Sequence, residues 1–212
     1  MATQEAIKSN KMLLVEGKDE IHFFNALLKH LAIDAYVTCA EGKDNIANEY
    51  ETQIKRSGFS AVTRMGFVRD AETQAAELPF KEICKVMKEY TPELPVPEKI
   101  GTVVSSGEYR TGIFIMPDCS KPGMIEDLCL ASAANEELLT KAQVYVADAE
   151  SIYTAKGETA KQFNRPKALV QTYLAGNVPI VAGLGTAALK GVWNFDDPVF
   201  DEIKRFCKEL FE

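Results

Sequence analysis

The stretch Met12-Leu-Leu-Val-Glu-Gly-Lys-Asp-Glu20 decides how the rest of the chain is read. Four apolar residues, 12–15, stop at Glu16 and Gly17. From Ile21 the pattern becomes Ile-His-Phe-Phe-Asn-Ala-Leu-Leu, apolar at helical spacing. A short apolar run giving way to a 3.6-residue period reads as a buried strand feeding an amphipathic helix. Glu16 then stands at the carboxyl end of a strand, the edge at which open α/β sheets bind ligands. Gly17 beside it allows a close backbone approach.

The same alternation recurs downstream. Residues 34–40 (DAYVTCA), 61–68 (AVTRMGFV), 102–106 and 112–116 read as further strands, the last two joined as a hairpin through 107–110. Helical patterns cover 21 to about 32, 45–56, 73–90 with a break at Pro79, a segment from Met124, then 136–153, 160–175 and 198–211. Strands separated by helices imply an α/β fold with a mainly parallel central sheet flanked by helices. The expected division is an α/β domain over 1–134 and a helical extension over 135–212 packed on it, the two together forming one compact domain or two. The tetrapeptide Glu-Gly-Lys-Asp at 16–19 returns at 41–44. The second copy reads as turn chemistry, with glycine leaving a strand and Asp44 capping the next helix.

Composition bounds the function. The 212 residues are 46% hydrophobic and 26% charged, an ordinary globular balance with enough apolar content for a sizeable core. A net charge of −7 excludes the whole surface as a trap for nucleic acid, so such binding needs a local basic patch. Five cysteines, at 39, 84, 119, 129 and 207, show no close pairing and fit a reducing cytosol better than a disulfide framework. His22 and His30 are the only histidines and neither lies near a cysteine, which gives zinc little support. The polar N-terminus lacks a signal-peptide core. Residues 168–189 carry no charge, but Gln171, Asn177, Pro179 and three glycines make them a helix, a turn and a buried segment rather than a membrane span. The expected location is cytoplasmic, with no membrane partner. Within that stretch Gly183-Leu-Gly185-Thr-Ala-Ala188 matches a dinucleotide fingerprint, but no strand with a ribose-binding acid can follow it, so it reads as a tight turn.

The chemistry follows from the strand ends. Glu16, Asp70 and Glu72 each fall at or just past a strand terminus, and Glu126 falls in the first turn of a later helix. Converging carboxylates repel one another unless a hard divalent cation compensates them. Mg2+ suits such a site because it takes one or two carboxylates together with water and substrate phosphate. Asp19, Asp44 and Asp127 are sufficiently explained as helix caps and dipole partners. Among the cations, Lys156, Lys161, Arg165 and Lys167 fall in one stretch, with Lys161 and Arg165 on one helical face. Any single one of them reads first as part of a solvated face.

With these residues in place, Leu13-Leu-Val-Glu-Gly-Lys-Asp19 and Gly66-Phe-Val-Arg-Asp-Ala-Glu72 together resemble the Toprim fold of topoisomerases, bacterial primases, recombination-repair proteins and the overcoming-lysogenisation-defect (OLD) nucleases. The likeness spans roughly the first 130 residues, the size of a compact domain. It is nearest to small stand-alone Toprim proteins related to the OLD group, through the strand at 113–117, Gly123-Met-Ile-Glu126 and Gly191-Val-Trp-Asn-Phe195. The resemblance implies that Glu16 is an acid/base or metal ligand, and that Asp70 and Glu72 hold Mg2+ or Mn2+. It also implies that Glu126 completes a second metal site and that a lysine, Lys167 or Lys161, joins the catalytic set. Gly17 and Gly123 are then points of backbone approach, and Lys18, Arg69 and Arg165 bind phosphate.

Two departures stand out. The second acid of the Asp-x-Asp motif is Glu72, and no Walker A sequence is present. The expected function is a metal-dependent nuclease or phosphodiesterase. The alternative is a non-catalytic adaptor that binds nucleic acid or a protein partner in DNA repair or phage defence; a homodimer and a small phosphorylated substrate are further options.

Overall fold

The computed structural model describes residues 5–155 and 163–212. In chain order the elements are β1 Lys11–Val15, α1 Lys18–His30, β2 Tyr36–Cys39, α2 Ile46–Ile54, β3 Arg64–Asp70, α3 Glu77–Tyr90, β4 Val103–Ser106, β5 Tyr109–Met116, α4 Ile125–Ala131, α5 Glu136–Ala155, α6 Arg165–Ala175, α7 Leu184–Leu189 and α8 Asp201–Phe211. The strands form one sheet in the order β2-β1-β3-β5-β4. All neighbours are parallel except β4, which runs antiparallel to β5 as the expected hairpin.

The apolar runs make sense against two-sided burial. Met12 and Leu14 of β1 point into a cluster with Ile46 and Tyr50 of α2, Phe67 of β3 and Ile83 and Met87 of α3. Leu13 and Val15 point the other way, among Phe23, Phe24 and Leu27 of α1, Trp193, and Ile203, Phe206 and Leu210 of α8. A strand buried on both faces needs no polar alternation, as parallel sheets generally show. The C-terminal elements therefore share a core with the sheet: α8 lies on β5, β3 and β4, and α7 on α1. Two glycines admit α8. A methyl group at Gly66 would sit 2.6 Å from Leu210 Cδ2, and one at Gly112 would sit 2.7 Å from Phe206 Cε2.

Boundaries differ from expectation where local hydrogen bonds intervene. The third strand starts at Arg64, not 61, because Phe59–Ala61 forms a 3₁₀ turn and the Thr63 N–H is already given to the Asn10 carbonyl at 2.9 Å. It runs two residues further than expected, so Asp70 is its last residue. The helix expected from 73 starts at Glu77, which places Pro79 in the first turn, where its missing N–H costs nothing. Asn164 caps α6 by accepting from the Lys167 N–H at 3.1 Å. The uncharged stretch 168–189 divides into α6, an irregular segment and α7. Among the described residues, no helix is long and apolar enough to cross a membrane.

Candidate functional site

At the carboxyl edge of the sheet a cleft of about 510 Å³ opens between the β1–α1 junction, the loop after β2, the end of β3, the start of α4 and α6. Six acids line it, Glu16, Asp19, Glu20, Glu41, Asp70 and Glu126, against two lysines, Lys18 and Lys167. The parallel register explains the meeting, since β1 lies between β2 and β3 and all three end at this edge.

Glu16 follows the last residue of β1. Its Oε2 accepts the Asp70 N–H at 3.4 Å, which ties the two strand ends together. Asp70, 7% exposed, turns its side chain inward, where Oδ1 accepts the Ile125 N–H at 3.0 Å from the first turn of α4. Glu126, the next residue of α4, is 8% exposed, and its Oε2 is buried without a hydrogen-bond partner. Asp127 does the capping, accepting the Met124 N–H at 2.8 Å, and so leaves Glu126 to the cleft.

The electrostatics are those of uncompensated acids. Burial, reinforced by Glu16, Glu126 and Glu20, raises the Asp70 carboxyl well above the usual range. Burial likewise raises Glu16, against the opposing pull of the Asp70 N–H, Arg69 and Lys167. It also raises Glu126, which its own backbone N–H and Lys167 pull back. Lys18 is taken by Glu41 at 2.8 Å. Lys167 makes no ion pair among the described residues, yet its charge reaches Glu16, Glu20 and Glu126.

Glu20 was not singled out from the sequence, where it looks like one more acid in a helix's first turn. Burial first, then the charges of Glu16 and Glu126, push its carboxyl up to about 7. A methyl group at Gly17 would lie 2.7 Å from Glu20 Oε2. Gly17 itself is extended (φ −134°, ψ 176°), a conformation open to any residue, so its contribution here is space for that carboxylate. The available signal was the four-residue interval from Glu16 across a single glycine.

The structure thus gathers Glu16, Gly17, Lys18, Asp70, Glu126 and Lys167 around one cleft. Other sequence candidates lie elsewhere. Glu72 stands at the rim, its backbone N–H donating to the Gly123 carbonyl at 2.8 Å and its carboxylate paired with Lys43. Gly123, at φ 147°, gives that carbonyl and leads into α4. Arg69 points to the opposite face of the sheet, where it pairs with Glu82 beside Lys43 and Lys85. Arg165 pairs with Glu150 of α5. Lys156 and Lys161 lie outside the described residues. The second Glu-Gly-Lys-Asp copy does more than turn the chain: Glu41 and Gly42 line the cleft, the Gly42 N–H donates to the Glu16 carbonyl at 3.0 Å, and Lys43 holds Glu72. The dinucleotide-like glycines serve packing, since a methyl group on Gly185 would meet the Asp19 carbonyl at 2.6 Å.

For a hard cation, the donors fit in kind: buried carboxylates with raised protonation and one unpartnered oxygen on Glu126. They do not form a closed protein cage. Among the described residues, no three His, Cys, Asp or Glu side chains are grouped so as to hold an ion. A cation that keeps most of its water and takes one or two carboxylates matches that arrangement.

The chain belongs to the family described as "Protein of unknown function (DUF3226)", whose model matches residues 10–212. Comparison with curated proteins and with solved structures finds no match.

Proposed function

We propose that the chain is a divalent-cation-dependent phosphodiesterase of Toprim type acting on nucleic acid, with the acidic cleft as its site. The observation that carries this reading is the buried, unpartnered Glu126 Oε2, on a residue close enough to raise the Asp70 carboxyl, in a cleft whose acids outnumber its lysines. Asp70 and Glu126 are the residues to hold Mg2+ or Mn2+, with Glu16 beside them. The bound cation would supply activation of water and charge stabilisation at the leaving oxygen.

The chain's own groups divide the remaining work. Glu16, its carboxyl raised by burial above the usual carboxylate range, is the group suited to take up and return a proton. The Asp70 N–H fixes the orientation of that carboxylate. Lys167 offers a positive charge to a phosphate oxygen. The start of α1, residues 17–20, lines the cleft, and a helix N-terminus favours an anionic group.

The net charge of −7 favours a second reading, an adaptor that uses the same cleft to bind without turnover. Incubation with plasmid and with single- and double-stranded DNA and RNA oligonucleotides, in Mg2+ or Mn2+, separates the two. Cleavage that disappears in Glu16→Gln and Asp70→Asn is expected. Absence of cleavage, or cleavage by either variant at the wild-type rate, overturns the enzymatic reading. Retention of a labelled oligonucleotide without cleavage supports the adaptor.

A further inference from the structure

Lys43 and Glu72 make an ion pair whose two partners are both anchored at the strand ends. The Glu72 backbone is held by the Gly123 carbonyl at 2.8 Å and sits at φ 54°, a left-handed conformation uncommon for a residue with a side chain. Lys43 follows Gly42, whose N–H is fixed to the Glu16 carbonyl at 3.0 Å. Asn45 closes the same turn by donating to the Ala40 carbonyl at 2.7 Å. Most surface ion pairs contribute little because two long, mobile arms must be ordered. Here both backbones are already placed, and the side chains are only 38% and 31% exposed.

The position of Glu72 matters because it lies two residues past Asp70. Its charge is near enough to Glu16 to help raise that carboxyl. Its own carboxylate is nonetheless absent from the cleft lining, where Glu16, Asp70 and Glu126 are found. The backbone brings Glu72 to the rim, and the side chain is turned to Lys43.

We propose that Lys43 is a positioning residue: by holding the Glu72 carboxylate at the rim, it keeps that group out of the acidic cleft and so sets how tightly the cleft binds a divalent cation. This rests on the metal-binding reading of the cleft given above. Without Lys43, the Glu72 carboxylate has a bound cation as its alternative partner, and one more carboxylate ligand strengthens a hard-cation site.

The test is a Mn2+ titration followed by electron paramagnetic resonance, with folding checked by circular dichroism. Lys43→Met keeps the apolar stem and loses the charge; Lys43→Gln replaces it if the Met variant does not fold. Lys43→Met is expected to bind Mn2+ about tenfold or more tightly than wild type, the scale of effects produced by groups that orient metal ligands. Glu72→Gln added to Lys43→Met is expected to return the affinity to the wild-type value. Lys18→Met removes an equal charge from the cleft wall itself while leaving the Lys43–Glu72 pair intact, and is expected to change the affinity far less. The proposal is overturned if Lys43→Met binds no more tightly than wild type, including the case in which neither binds. It is also overturned if the double variant keeps the gain, or if Lys18→Met matches it. Binding by Lys43→Met with none by wild type supports the proposal while removing the metal-dependent reading of the wild-type protein.

Discussion

Glu20→Gln is expected to stabilise the protein at neutral and alkaline pH and to leave it unchanged in acid. The folded protein raises this carboxyl from 4.5 to about 7, chiefly by burial and then through Glu16 and Glu126. The folded state therefore holds the proton more tightly than the unfolded chain. That contribution is fully present below 4.5 and is lost as pH rises through 7. The distance between the two values corresponds to about 3 kcal/mol of folding free energy forfeited once Glu20 is ionised. Glutamine has no charge to forfeit. The substitution also relieves Asp70, whose carboxyl Glu20 helps to raise.

For a chain of this size, about 3 kcal/mol corresponds to roughly 6–12 °C in Tm. The assay is urea unfolding in EDTA, followed by the fluorescence of Trp193, at intervals from pH 4 to pH 8.5. Wild type and variant are expected to coincide near pH 4 and to separate progressively above pH 5. Equal stabilities at pH 8, or an offset as large at pH 4 as at pH 8, would refute the reasoning. Repeating the series in Mn2+ adds a second criterion. Ligand binding at about a hundred times Kd stabilises by about 2.7 kcal/mol, and wild type is expected to gain more from the ion than Glu20→Gln does.

Three other substitutions probe the frame of the site. Trp193→Ala removes a side chain that is 1% exposed, donates to the Leu184 carbonyl at 3.1 Å and stacks on Tyr173 at 6.0 Å; a loss of about 3–5 kcal/mol is expected in urea unfolding followed by circular dichroism. Gly185→Ala puts a methyl group 2.6 Å from the Asp19 carbonyl, and a loss of about 1–3 kcal/mol with faster hydrogen exchange in α7 is expected. Asp127→Ala leaves the Met124 N–H without its acceptor at 2.8 Å, which is expected to cost about 1 kcal/mol and to weaken Mn2+ binding by loosening the turn that presents Ile125 to Asp70.

The sheet was legible because parallel strands buried on both faces are largely apolar runs, and turn residues or acids follow them closely: Glu16-Gly17, Glu41-Gly42, Asp70 and Pro117-Asp118. What blurred the limits was hydrogen bonding outside the pattern. Ala61 and Thr63 look like strand residues, but one lies in a 3₁₀ turn and the other is tied to Asn10. The helix before Tyr90 was legible in type, with its start displaced by the demand that Pro79 occupy the first turn. Glu16 and Asp70 could be found because a strand terminus is a position that sequence periodicity marks. Glu20 could not, since an acid in a first turn is ordinarily a dipole partner. Only the fold shows its carboxylate curling back over Gly17. Glu72 was visible as an acid two residues after Asp70. Its diversion by Lys43, a residue 29 positions earlier, depends on β2 lying beside β1, which local pattern does not encode.

The two Glu-Gly-Lys-Asp copies show how one tetrapeptide takes opposite parts at adjacent strand ends. In the first, Gly17 is extended, so Glu16 continues the line of β1 and faces the cleft. In the second, Glu41 at φ 56° and Gly42 at φ 122° fold the chain back, and the Gly42 N–H seals against the Glu16 carbonyl. The lysine of each copy then neutralises an acid outside its own copy, Lys18 pairing with Glu41 and Lys43 with Glu72. Compensation is therefore one-sided. The acids toward the β2–α2 loop have cations in contact, whereas Glu126 and Glu20 answer only to the more distant charge of Lys167 and Asp70 only to the Ile125 N–H. Buried charge without a partner is the costly kind. A divalent ion would relieve most free energy where that cost is greatest, so on the metal-binding reading proposed above its place is between Asp70 and Glu126 on the α4–α6 side, with Glu72 left in Lys43's hold.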